Sequence, residues 1–209
     1  MIFMIFSMYS LVLNTPYYYN PTIHNFGNVG IGGKIHAELA PFATKLIDIL
    51  RYDSINIRKE IVNQNNDNQD KKFLDFCCGI GESTAENSIG IDTSNEMLNV
   101  AKKHNKNSQF YNGNAENFKP GEEIDIVTCM FAMHEIPYFA QEKIIDNAVS
   151  IAKEKVIFVD ISSDYTPSDI MLSGEPYLKE YIKNIEKLLE NFEKKEIVEN
   201  HVTLWEYTK

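Results

Sequence analysis

Asp75, Gly79, Gly81 and Asp92 fall within one stretch, Phe73 to Asp92, that reads FLDFCCGIGESTAENSIGID. Glycines spaced G-x-G permit backbone angles and a closeness of approach that a Cβ forbids. Free N–H groups on such a turn hold polar ligands. Asp92 follows Ser88-Ile89-Gly90-Ile91, and a carboxylate at a strand end can accept both hydroxyls of a ribose. Farther on, His134-Glu135 follows the apolar run IDIVTCMF at 124–131. An imidazole there has a suitable pKa for taking a proton from a phenol, thiol or enol, with Glu135 to orient it. The plainer alternative is a histidine that bonds backbone at a strand end.

Spacing discriminates among nucleoside ligands. A pyrophosphate needs G-x-G-x-x-G/A, but Gly81 is followed by Glu82, Ser83, Thr84 and Ala85. The small residue comes one position late, and an acid stands where a diphosphate would be repelled. No Tyr-x-x-x-Lys or comparable hydride-transfer set accompanies it, which disfavours a nicotinamide oxidoreductase.

The same residues resemble the class I S-adenosylmethionine-dependent methyltransferases. Asp75-Phe76-Cys77-Cys78-Gly79-Ile80-Gly81 is similar to the first motif of that family and Gly90-Ile91-Asp92-Thr93-Ser94 to the second. Gly113-Asn114-Ala115-Glu116 resembles the third, and Asp125-Ile126-Val127-Thr128-Cys129 the fourth. Two departures stand out: Cys77 occupies the place of the first glycine, and the link to the second strand is only about ten residues, room for one or two helical turns. The resemblance implies an α/β fold: a Rossmann-like seven-stranded methyltransferase sheet, mostly parallel with a C-terminal antiparallel hairpin, helices on both faces, and an N-terminal helical cap. It implies S-adenosyl-L-methionine as cofactor. Asp75 would lie near the methionine part, with Cys77, Gly79 and Gly81 in the turn and Asp92 and Thr93 at the ribose. Met97, Asn114, Ala115 and Glu116 would surround adenine, and Met130 would complete the cofactor side. A lid before the first strand would bring Tyr17, Tyr18, Tyr19, His24 and Asn28 over the substrate. His134 would meet a small-molecule acceptor, with Asp160 and Tyr165 beside it. Ala132-Met133-His134-Glu135 is unlike the N/D-P-P-Y/F sequence of exocyclic-amino methylases, which argues against adenine or glutamine as acceptor.

The elements that must position these groups follow from pattern. Pro16–Gly33, rich in Tyr, Asn, Pro and Gly, predicts an irregular loop. A helical stripe follows at Ile35, Leu39, Phe42, Leu46 and Leu50, which Pro41 should start or kink. Polar Asn63–Lys72 reads as a linker, so residues 1–72 are expected to form a lid and helical cap and 73–209 the cofactor-binding core. Thr93 to Glu96 has capping-box spacing for the next helix. Residues 109–112, 124–131 and 155–161 read as strands, 162–175 as a turn-rich insertion, and 193–209 as a hairpin.

A net charge of −10 argues against a nucleic-acid partner. Three cysteines, two of them adjacent and none in a C-x-x-C pair, suggest reduced thiols in a cytosol-like compartment and no metal. Met1–Leu13 is apolar but too short to span a bilayer. No pattern fixes the oligomeric state. A cofactor-binding protein without turnover remains an alternative, because the first crossover is so short.

Overall fold

A computed structural model describes residues 16–66 and 71–209; the Met1–Leu13 leader and part of the expected linker lie outside the described residues. Seven strands form one sheet: β1 Phe73–Phe76, β2 Ile89–Asp92, β3 Gln109–Asn112, β4 Ile124–Met130, β5 Ala152–Ile161, β6 Glu193–Val198 and β7 Val202–Thr208. Their order is β3-β2-β1-β4-β5-β7-β6. β1 to β5 are parallel, and β7 pairs antiparallel with both β5 and β6, which is the expected sheet and hairpin.

Both faces are covered, which is why β1 and β4 are apolar nearly throughout. The helices are α1 Gly30–Arg51, α2 Ile57–Asn65, α3 Asn95–His104, α4 Tyr138–Ile151, α5 Asp169–Gly174 and α6 Leu178–Leu188. On one face Ile144 and Ala148 of α4 and Tyr181 and Ile185 of α6 pack with Leu74, Val127 and Phe158. On the other, Tyr52 and the α2 residues Ile57 and Ile61 pack with Phe73, Ile126 and Ile157. Among the described residues, no helix is long and apolar enough to cross a membrane.

Besides the short helix α5 inside the expected insertion 162–175 and the earlier start of β5, three differences bear on the site. The β1–β2 crossover has turns and bends but no helix, and α2 packs against Ala85 and Phe73 on that face instead. α1 starts at Gly30, inside the expected loop, and runs unbroken through Pro41. Proline removes one ladder bond, but the helix stays docked where Ala37 packs on Met97 and Val100 of α3. Its apolar stripe is split: Phe42 and Leu50 are 83% and 69% exposed, whereas Leu39 borders the cavity described below. Finally, α3 is capped by Ser94, whose Oγ accepts from the Met97 N–H at 3.2 Å, and not by Thr93. Glu96, the acid of the expected capping box, instead accepts from the Gly30 N–H at 2.8 Å. Ser94 also donates to the Asn28 carbonyl, so the segment before α1 is tied to the start of α3.

Cys77 leaves β1 with φ +54°, in the left-handed region. A side chain there costs about 1–2 kcal/mol, which accounts for the glycine usual at this motif position. Cys77→Gly is expected to raise unfolding stability by about 1 kcal/mol, since lost sulfur contacts and added chain entropy offset part of the relief. Denaturant unfolding tests this, and a lower midpoint would contradict it.

Candidate active site

The sheet changes direction of winding between β1 and β4, and open α/β sheets bind ligands in the crevice beyond such a point. A cavity of about 710 Å³ opens there, walled by the ends of β1, β2, β4 and β5, by α1, and by the segment before it. A drug-sized molecule needs a few hundred Å³ or more.

Asp92 forms one end. Its Oδ2 accepts from the Gly79 N–H at 2.9 Å and its Oδ1 from the Ser94 N–H at 2.8 Å. Each oxygen keeps a second lone pair for a ligand hydroxyl. Burial raises this carboxyl to about 6, against the pull of those two N–H groups. Gly79 has φ +51°, and a Cβ built on it would meet nothing within 4 Å, so the turn's backbone faces open space. Gly81 is different: a Cβ there would meet Ala101 and Phe110 at 3.0 Å, so this glycine serves close packing. Thr93, Met97, Asn114 and Ala115 line the same end.

His134 lies across the cavity on a 3-10 turn, Met133–Glu135, after Phe131, whose φ is +55°. Gln141 of α4 clamps that turn from below by donating to the carbonyls of Met133 and Ile136 at 2.9 and 2.7 Å. His134 Nδ1 meets Asp160 Oδ1 at 2.6 Å, whereas Glu135 Oε1 is 4.0 Å from Nε2. Asp160, not Glu135, therefore orients the ring. Burial alone would lower the His134 pKa, but Asp160 raises it to about 9. Glu135 pairs instead with His24 Nε2 at 2.7 Å, and His24 Nδ1 meets Glu175 Oε1 at 2.8 Å.

Residues 73–155 match the sequence profile of a family described as a methyltransferase domain. The matched stretch runs from β1 into β5. A demethylmenaquinone methyltransferase of Staphylococcus saprophyticus is 32% identical over 124 residues. That match covers 53% of this chain and 53% of the relative, about half the length of each. A magnesium protoporphyrin IX methyltransferase from Synechocystis PCC 6803, crystallised with S-adenosylhomocysteine, shares the fold: TM-score 0.54, 15% identity, covering 92% of this chain and 96% of that one. A methyltransferase from Aquifex aeolicus does so with TM-score 0.53 and 15% identity over 73% of this chain and 89% of that one.

The expected site residues divide in the structure. Tyr17, Tyr18, His24 and Asn28 from the N-terminal segment line the cavity, as do Cys77, Met130, Glu135 and Tyr165. Tyr19 is not part of the lining. Glu116 also stands behind it, accepting from Tyr17 Oη at 2.9 Å and pairing with Lys143 at 3.2 Å. Asp160 is 1% exposed, bonded to the His134 ring and outside the cavity lining. His36, Arg58 and Glu175 also reach the cavity, and sequence spacing gave no signal for them.

Asp75 is likewise buried, at 1% exposure, and accepts from the hydroxyls of Ser83, Thr84 and Thr128 at 2.7, 2.8 and 3.0 Å. It pins the glycine turn to the sheet and lies outside the cavity lining. Burial raises its carboxyl to about 6, against those three donors. The folded chain thus holds a proton that the unfolded chain releases near pH 4. The stability this group contributes is present at the acid end and lost as pH rises through about 6. Relative to Asp75→Asn, the parent chain should lose roughly 2–3 kcal/mol of stability between pH 4 and pH 7. Parallel denaturation series measure the difference, and a flat one would refute it.

Proposed function

We propose that the chain transfers a methyl group from S-adenosylmethionine to a small-molecule acceptor. The observation that carries this reading is Asp92. It is a carboxylate at the end of β2, locked to the Gly79 turn, with free lone pairs facing a cavity that His134 borders on the other side. Asp92 accepts the ribose hydroxyls, and Met97, Asn114 and Ala115 bound the adenine. The methionine part runs past Cys77 and Gly79, and the Tyr17–Tyr18 segment covers it. Aromatic faces and carboxylates suit a sulfonium cation.

The chemistry is an in-line displacement in which the acceptor atom bonds to the methyl carbon as the carbon–sulfur bond breaks, and neutral S-adenosylhomocysteine leaves. Alignment and exclusion of water account for most of the rate. An O, S or enol-carbon acceptor gives its proton to His134 Nε2. With the ring raised to about 9, the neutral form that takes this proton grows as pH rises toward 9, and a sulfonium nearby moves that rise to lower pH. The cavity wall also contains Leu39, Ala43 and Ile47 of α1. With the relative named for demethylmenaquinone, this favours an apolar ring bearing an ionisable oxygen or enol carbon.

Transfer of labelled methyl from the donor to a panel of quinols, phenols, thiols and amines tests the reading. Turnover with a quinol or phenol supports it. Donor binding without turnover on any acceptor would leave a binding protein in its place.

A further inference from the structure

His24, Glu135 and Glu175 come from three separate places in the chain: the segment before α1, the turn after β4, and the end of α5. One ligand atom from each lies within 4.8 Å of the others. Donors on a shared first-row ion stand about 3 to 4.4 Å apart, so the three close on one centre when the His24 ring, whose two nitrogens now face the two carboxylates separately, gives up one of those pairs to the ion. His24 and Asn25 are held there by left-handed backbone, with φ of +49° and +62°, against Gly174, where a Cβ would meet the Asn25 side chain at 2.8 Å. A second observation points to a missing ligand. Glu175 is 7% exposed, and its Oε2 has no hydrogen-bond partner. Leaving such an oxygen unpaired costs on the order of 1–3 kcal/mol, and more when charged. His36, with its ring 4.5 Å from that of His24, also has a buried unpartnered Nδ1.

We propose that His24, Glu135 and Glu175 bind a divalent first-row transition-metal ion at the acceptor end of the cavity. One imidazole nitrogen with two carboxylates suits manganese, iron or zinc. Three protein ligands leave coordination positions open toward the cavity, next to His134. On the methyl-transfer reading, an acceptor oxygen fills one of them, and the ion acts as a Lewis acid that favours the ionised acceptor. Binding replaces the proton held between the ring and its carboxylates, and that proton goes to solvent. Ion binding itself does not depend on the methyl-transfer reading.

The test is titration of the full chain with Mn(II) alone, followed by loss of the free-ion electron paramagnetic resonance signal. One ion per chain is expected. Glu175→Gln and His24→Gln should each weaken binding at least tenfold, whereas Glu122→Gln with Glu123→Gln, on the surface, should not. Binding of S-adenosylhomocysteine by Glu175→Gln, measured separately, shows that the variant is folded. Absence of a Mn(II) site at millimolar ion, or a site indifferent to Glu175→Gln and His24→Gln, overturns the proposal. Donor binding with no ion binding leaves the methyl-transfer reading standing, and ion binding with no donor binding removes that reading alone.

Discussion

Asp92→Ala is expected to weaken S-adenosylhomocysteine binding by at least about 100-fold. Two hydrogen bonds from ribose hydroxyls to a carboxylate are worth roughly 1.5–3 kcal/mol each, and their loss alone reaches that factor. The substitution also releases the Gly79 N–H, which Asp92 holds at 2.9 Å, and so loosens the turn that borders the cavity. Asp92→Asn should lose less, because an amide keeps one acceptor oxygen. Equilibrium dialysis with labelled ligand measures both. A change within threefold for the alanine variant, with the fold intact by circular dichroism, would place the ribose elsewhere.

The second large effect is at His134. If it takes the acceptor proton, His134→Gln should lower kcat by about 10²- to 10⁴-fold, the range for a positioned acid–base group, while donor affinity stays within threefold. Asp160→Asn should lower kcat less, because the ring and its Nε2 remain while the carboxylate that orients Nδ1 is gone. Single-turnover measurements with saturating donor separate the chemical step from binding. Unchanged kcat in His134→Gln would make the ring a structural member of the β4 exit.

Much of the cofactor end was legible because its signals are local. The apolar run of β1, the G-x-G turn and the carboxylate closing β2 lie within one short stretch, and each constrains its neighbours directly. The missing crossover helix was foreshadowed by the brevity of the link, though what replaces it, α2, comes from before β1 and could not be inferred from spacing. Capping was misplaced by one residue because Thr93 and Ser94 are both competent caps; the tie from Ser94 to the Asn28 carbonyl decides between them. The acceptor end was less legible for the same reason. Asp160 and His134 are 26 positions apart and meet only when β4 and β5 pair. His24, Glu135 and Glu175 meet only when three distant segments fold together, so no spacing rule could join them. The α1 stripe has the period of a buried face yet Phe42 and Leu50 are exposed and Leu39 borders the cavity, since periodicity reports a face and not what covers it.

Calorimetric titration of the full chain with S-adenosylmethionine, and separately with NAD, decides which cofactor the crevice beyond β1 and β4 takes. One S-adenosylmethionine site per chain is expected, lost in Asp92→Ala, with no heat from NAD. Saturable NAD binding with no response to S-adenosylmethionine would contradict it.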